Sequence, residues 1–92
     1  MLTSKERARL RAQANELEPI FQIGKGGLTD EIINQLDQAL TARELIKVRI
    51  LKNSLEDPRE AAEAISSATN SEVVQVIGRN FVLYRENEDS NE

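Results

Sequence analysis

The segment from Leu45 to Leu51 alternates apolar and basic side chains and lies between two stretches that have helical periodicity. The apolar members fall on one side and the basic members on the other: Ile46, Val48 and Ile50 against Lys47 and Arg49. This alternation predicts a strand with one buried face and one face in water. A strand placed between helices enters its sheet through crossovers, which make neighbouring strands parallel. The pattern therefore restricts the chain to an α/β fold.

Capping signals mark the starts of three predicted helices. Thr3 with Glu6 has the spacing of a capping box, Thr29 precedes Asp30 and Glu31, and Asp57 precedes Pro58. The positions expected to be buried recur at helical spacing: Leu10, Ala14 and Leu17; Ile32, Ile33, Leu36, Ala39 and Leu40; Ala61, Ala62, Ile65 and Ala68. The first helix is predicted to end near Leu17, before Pro19.

Three further β-prone segments, 20–23, 72–77 and 81–85, complete the predicted sheet. A tight turn at 78–80 joins the last two strands as a hairpin. The order is α-β-α-β-α-β-β, a single two-layer α/β domain over residues 1–85 with a four-stranded mixed sheet. We expect the first three strands to be parallel and the last to be antiparallel.

Charge is unevenly distributed along the 92 residues. The chain has 12 basic and 16 acidic residues, and four of the acids lie in 86–92, so residues 1–85 are neutral overall. We predict that 86–92 is a disordered acidic tail, which either solubilises the protein or mimics nucleic acid and competes for a basic surface. The absence of an apolar run of membrane length or a secretory leader favours a cytoplasmic protein with no membrane contact.

The side chains most used in catalysis are missing. The chain has no histidine and no cysteine, which removes the commonest general bases, nucleophiles and thiolate ligands. The acidic pairs Asp30-Glu31 and Glu56-Asp57 are explained by their places at helix starts. The sequence therefore predicts a protein that is not an enzyme and needs no cofactor or metal.

The most informative loop is Gly24-Lys25-Gly26-Gly27, between the first predicted strand and the second helix. Its glycines let a polyanion approach the backbone, and the helix after it directs free amides toward the loop. The spacing fits neither a Walker loop nor a dinucleotide fingerprint. Two interpretations stay open: a turn that needs glycine for its conformation, and a clamp on a nucleic-acid backbone like the GXXG loop of KH domains.

Two basic groups could extend such a clamp. They are Lys5, Arg7, Arg9 and Arg11 in the first helix, and Lys47 and Arg49 on the predicted open strand face. Either group could equally be ordinary surface charge. The chain has only two Phe and one Tyr, which disfavours single-strand binding by base stacking and favours recognition of folded RNA.

Three segments closely resemble the CRM domain (chloroplast RNA splicing and ribosome maturation), in particular its stand-alone bacterial form, the YhbY family. They are residues 17–29 (LEPIFQIGKGGLT), 44–49 (ELIKVR) and 74–79 (VQVIGR), followed by Leu83-Tyr84-Arg85. The resemblance covers about residues 2–85. It implies a fold similar to the C-terminal domain of a bacterial translation initiation factor, and RNA binding through the glycine-rich loop and neighbouring basic surface.

Stand-alone members of that family are associated with precursors of the large ribosomal subunit. The resemblance therefore implies a monomeric RNA-binding assembly factor that contacts precursor rRNA. Carried over by position, its site comprises Gly24, Lys25, Gly26, Gly27 and Lys47, with Lys5, Arg7, Arg9 and Arg11 as the basic first helix. The strand pattern adds Arg49 beside Lys47. The alternative is a protein-interaction module that docks on a ribosomal protein or an assembly factor, which the neutral body of the chain supports.

Overall fold

A computed structural model describes residues 2–86 of the chain. Its elements are α1 (Ser4–Ala14), β1 (Phe21–Ile23), α2 (Asp30–Arg43), β2 (Leu45–Ile50), α3 (Pro58–Thr69), β3 (Glu72–Ile77) and β4 (Asn80–Tyr84). The predicted acidic tail lies outside the described residues, apart from Glu86. None of the helices in the described part is long and apolar enough to cross a membrane.

The four strands form one mixed sheet in the order β1-β2-β4-β3. β1 pairs with β2 in parallel, whereas β4 is antiparallel to both β2 and β3. The first three strands therefore run in one direction, as predicted, and β4 is inserted between β2 and β3. Because of this insertion, the turn between β3 and β4 lies beside the end of β2.

α2 and α3 cover one face of the sheet and enclose the larger core. Its buried side chains are Ile23, Leu36, Leu40, Ile46, Val48, Ile50, Ala61, Ala62, Ile65, Phe81 and Leu83. The two alanines of α3 let that helix approach the strands closely. Burial of each larger side chain stabilises the fold by about 1.5–3 kcal/mol, and this face accounts for most of the buried apolar residues.

Among the described elements, only α1 packs on the opposite face, and it covers that face in part. The contacts are made by Leu10 and Ala14 of α1 with Val74 and Val82 of the sheet. Leu45 and Tyr84, which pair across β2 and β4, pack beside them. The two predicted layers are thus joined by a partial third layer at the end of the sheet where β2 begins.

The three predicted N-caps are confirmed. Thr3 Oγ1 accepts from the backbone N–H of Glu6 at 3.1 Å, and the Glu6 carboxylate accepts from the backbone N–H of Thr3 at 3.0 Å. That backbone N–H, together with the Thr3 hydroxyl, lowers the pKa of Glu6. A lowered folded-state pKa means that this stabilisation is present at neutral pH and is lost as the pH falls through that pKa. The side chains of Thr29 and Asp57 cap α2 and α3 by accepting from the backbone N–H groups of Ile32 and Glu60, each at 3.1 Å.

Helix α1 ends at Ala14, three residues before the predicted end at Leu17. The backbone N–H groups of Glu16 and Leu17 donate to carbonyls three residues back, at 3.2 and 3.0 Å, so the chain tightens into a turn. Leu17 therefore lies outside the helix and is only half-buried.

The strand ends differ from the predicted ones by a single residue at most.

The prediction that Ala68 is buried in α3 was wrong. Ala68 is exposed, and Thr69 takes the buried position, one turn after Ile65. The Thr69 hydroxyl donates to the Ile65 carbonyl at 2.8 Å, which satisfies the polar group and permits its burial.

Candidate nucleic-acid interface

The glycine-rich loop begins where β1 ends, and it packs against the segment that follows β2. Ile23 pairs with Ile50, and the Ile23 carbonyl accepts from the backbone N–H of Leu51 at 2.8 Å. A Cβ added to Gly24 would lie 3.5 Å from Cδ1 of Leu51 and 3.6 Å from Oδ1 of Asn53. The parallel pairing of β1 and β2 therefore brings residues 24–28 and 51–56 together.

The turn between β3 and β4 joins this assembly. The backbone N–H of Ile50 donates to the Arg79 carbonyl at 2.7 Å, and Arg79 Nη1 donates to the Leu51 carbonyl at 3.3 Å. We call the three segments 24–28, 51–56 and 78–79 the loop end of the sheet. This end carries three exposed basic side chains, Lys25, Lys52 and Arg79.

Lys52 was not predicted from the sequence as a site residue, and Arg79 was not included in the predicted site. Both positions belong to turns, where a basic residue is common and carries little information. The signal that could have found them is the position of β4 beside β2. That order follows from tertiary packing, and no local pattern in the sequence specifies it.

Inside the loop, the two last glycines differ in what they contribute. The backbone N–H of Gly27 donates to the Gly24 carbonyl at 3.0 Å, and Gly27 has a φ of 68°, a left-handed conformation that favours glycine. Gly26 has no positive φ, and a Cβ added there would meet nothing within 4 Å. Glycine at position 27 therefore suits the left-handed conformation of the turn, whereas the space beside Gly26 is free for a ligand.

The outer part of the loop is accessible to a ligand. Lys25 and Gly26 are exposed, and within the described residues their backbone N–H groups donate to no acceptor. Exposed adjacent amides next to a mobile ammonium group suit an anion such as a phosphate oxygen. The turn interpretation is therefore confirmed for Gly27 by its left-handed φ, and the clamp interpretation stays a prediction for the exposed Lys25 and Gly26.

The inner side of the loop holds a carboxylate. Oε2 of Glu56 accepts from the backbone N–H of Leu28 at 3.4 Å, and it would lie 2.8 Å from a Cβ added to Gly27. Asp30 and Glu31 occupy the first turn of α2 nearby in sequence. The amino end of α2, which the sequence suggests as a phosphate site, is therefore already supplied with acidic side chains. Glu56 contacts the loop in addition to preceding the cap of α3.

Lys47 and Arg49 lie on the sheet face opposite the larger core, as their alternation predicts. This face is not as open to water as predicted, because α1 covers part of it. Arg49 is exposed and pairs with Gln22 of β1 and Asn80 of β4, close to the loop end. Lys47 lies two residues earlier in β2, farther from the loop end, and is half-buried. Arg49 is therefore the better placed of the two to extend a surface from the loop end.

The basic residues of α1 do not act as one group. Lys5, Arg9 and Arg11 are exposed. Arg7, in contrast, is half-buried, and its Nη1 donates to the carbonyls of Val73 and Val74 at 2.5 and 3.2 Å. These carbonyls lie at the irregular register of β3, between Val73 and Gln75. Arg7 thus fastens α1 to an edge strand, and α1 lies toward the end of the sheet away from the loop.

Arg7→Ala is expected to lower the free energy of unfolding by about 1–2 kcal/mol, because two strand carbonyls lose a charged donor. Arg11→Ala should change it by less than about 0.5 kcal/mol, as expected for an exposed side chain. Urea unfolding of the two variants compares a hydrogen-bonded and an exposed arginine of the same helix. Equal stability of the two variants would contradict a structural role for Arg7.

Comparison with known proteins identifies the family. A family model described as the CRS1 / YhbY (CRM) domain matches residues 2–85. The chain belongs to this family, which confirms the resemblance found in the sequence.

Two bacterial relatives match over nearly their whole length. The chain is 49% identical over 90 residues to the probable RNA-binding protein YqeI of Bacillus subtilis, covering 98% of this chain and 94% of that protein. It is 34% identical over 89 residues to a Haemophilus influenzae protein named RNA-binding protein, covering 97% and 90%. A solution structure of a hypothetical protein from Staphylococcus aureus superimposes with a TM-score of 0.80 at 52% identity, covering 96% and 92% of the two chains. The mixed α/β fold is therefore one already observed in a relative.

Proposed function

We propose that this chain is an RNA-binding protein that contacts folded RNA through the loop end of its sheet. Its relatives in Bacillus subtilis and Haemophilus influenzae are named as RNA-binding proteins, which supports the ligand class. The observation that carries the choice of surface is the convergence of the glycine loop with Lys25, Lys52 and Arg79. Exposed amides and exposed cations at one edge suit phosphate oxygens.

Contacts of this kind hold a nucleic-acid backbone without reading its sequence. The amides of Lys25 and Gly26 would hold one phosphate, and the Lys25 ammonium would neutralise it. Lys52, Arg79 and Arg49 would contact neighbouring phosphates, with Lys47 and the exposed α1 residues Lys5, Arg9 and Arg11 at the margin. Specificity would then depend on the shape of the RNA.

The proposal extends to the target, precursor rRNA of the large ribosomal subunit, bound by a cytoplasmic monomer during assembly. Membership of the CRM family supports it, because stand-alone members are associated with that precursor. Sedimentation of the tagged protein in cell extracts provides the check. We expect it to travel with immature large subunits, and exclusive sedimentation with small subunits would contradict this target.

The loop is tested by Gly26→Asp, with Gly26→Asn as the uncharged control of the same size. Both side chains enter open space, so folding should be retained. The added carboxylate should weaken binding to a structured large-subunit rRNA fragment by about tenfold relative to Gly26→Asn, from close like-charge repulsion. Equal affinities of the two variants would remove the loop from the interface.

A salt titration adds a second test on the same RNA. Each phosphate contact contributes roughly 0.7–0.9 to the slope of log affinity against log salt, so Lys25→Ala should reduce the slope by about one contact. An unchanged slope would mean that Lys25 makes no phosphate contact.

A protein-docking role is the second candidate, because two large apolar residues are exposed at or beside the loop end. Leu55 is 103% exposed and Ile77 is 60% exposed. If protein contact dominates, Leu55→Ser with Ile77→Ser should release the protein from ribosomal particles while RNA affinity in isolation is unchanged. Retention of the double variant on the particles would contradict this role.

A further inference from the structure

Glu56 occupies the inner side of the loop proposed to hold phosphate. Its Oε2 lies 3.4 Å from the backbone nitrogen of Leu28, the amide that follows the glycine loop, and it sits over Gly27. The side chain is half-buried, and the backbone N–H of Glu56 donates to the hydroxyl of the buried Ser54 at 3.2 Å. These contacts hold a negative charge against the loop.

We propose that Glu56 is an internal competitor of the RNA phosphate and thereby determines the affinity of the loop. This inference rests on the proposed function. A carboxylate and a phosphate both offer anionic oxygens to backbone amides, so the same donors that suit one suit the other. The Leu28 amide exchanges its carboxylate acceptor for a phosphate oxygen when RNA binds, and Glu56 withdraws toward solvent.

Repulsion is the physical basis of the effect. A carboxylate within a few ångströms of a phosphate opposes its binding at short range, where salt screens the interaction least. Glutamine has nearly the same shape and still offers a carbonyl oxygen to Leu28, but it lacks the charge. Glu56→Gln therefore separates repulsion of RNA from mere support of the loop.

The control has the same change of charge at the other end of the sheet. Glu86 follows β4, whose last residue Tyr84 pairs with Leu45, whereas the loop end lies beyond Ile50. The five residue steps from Leu45 to Ile50 span roughly 16 Å of strand, which exceeds the Debye length of about 8–10 Å at physiological salt. Glu86→Gln therefore tests the same change of net charge at a distance from the loop.

Glu56→Gln should bind the structured large-subunit rRNA fragment about three- to tenfold more tightly than Glu86→Gln, from removal of one close like charge. Unchanged or weaker binding by Glu56→Gln would overturn the proposal, because a supporting role predicts one of those results.

Amide resonances of the natural sequence give a second measurement that does not depend on how the variant folds. At saturating rRNA fragment, we expect the Leu28 amide to shift together with those of Lys25 and Gly26. If Lys25 and Gly26 shift while Leu28 stays in place, Glu56 is only a support and the inference is overturned. If none of the three shifts, the proposed RNA-binding loop fails, and the inference fails with it.

Discussion

Arg85→Ala is expected to lower the free energy of unfolding by about 2–3 kcal/mol, since one guanidinium holds three elements together. Its Nη1 donates to Asp37 Oδ1 at 2.5 Å and to the Thr69 carbonyl at 2.7 Å. Its Nη2 donates to the Asp37 carbonyl at 2.9 Å and to the Thr41 hydroxyl at 2.8 Å. The residue after β4 is thus connected to α2 and to the last turn of α3.

The ion pair contributes little of this value. The side chains of Arg85 and Asp37 are 21% and 49% exposed, and exposed pairs contribute only about 0–1 kcal/mol. The larger part comes from two helix carbonyls that would lose a charged donor, one of them at the carboxyl end of α3 where a cation is favourable.

Lysine and a second arginine are the matched controls for Arg85. Arg85→Lys keeps the charge without the planar fork, so we expect it to recover less than half of the loss. Arg59→Ala removes an exposed arginine of α3 and should change stability by less than about 0.5 kcal/mol. Thermal and urea unfolding provide the measurement, and an Arg85→Ala protein as stable as Arg59→Ala would contradict the network.

Much of the fold could be predicted because its signals are local. The caps at Thr3, Thr29 and Asp57 act within three residues, and the alternation in β2 is visible within a single strand. Parallel pairing of β1 with β2 followed from the intervening helix. The place of β4 between β2 and β3 depends instead on which strands pack best together, which a single sequence does not specify.

The residues of the candidate site also differ in whether a local signal in the sequence predicts them. The glycine loop was found because its composition is unusual, and family membership supports that choice. The contact from Glu56 to Leu28 spans 28 residues, and that from Arg7 to Val73 spans 66. The sequence alone explains Glu56 by its place at a helix start, and it gives Arg7 no role different from those of the other basic residues of the first helix. Long-range contacts of this kind changed the interpretation of both.

Gly27→Ala is expected to lower the free energy of unfolding by about 1–2 kcal/mol, for two separable reasons. A left-handed φ, here 68°, costs an L-residue roughly 1 kcal/mol or more. The new Cβ would also lie 2.8 Å from Oε2 of Glu56, so this carboxylate must move and give up its bond to Leu28. Gly27→Asp places a second carboxylate beside that of Glu56 and should lower the free energy of unfolding further. It is therefore an unsuitable probe of RNA binding, although Gly27 belongs to the loop.

A double-mutant cycle separates the two reasons. With Glu56→Ala the obstructing side chain is gone, so Gly27→Ala should then cost only the backbone part, about 1 kcal/mol. Gly26→Ala is the control, because its Cβ enters open space at an ordinary φ and should leave stability unchanged within about 0.5 kcal/mol. Gly27→Ala costing the same with and without Glu56 would mean that the carboxylate yields freely. Such freedom would leave the backbone conformation alone to explain why glycine stands at position 27.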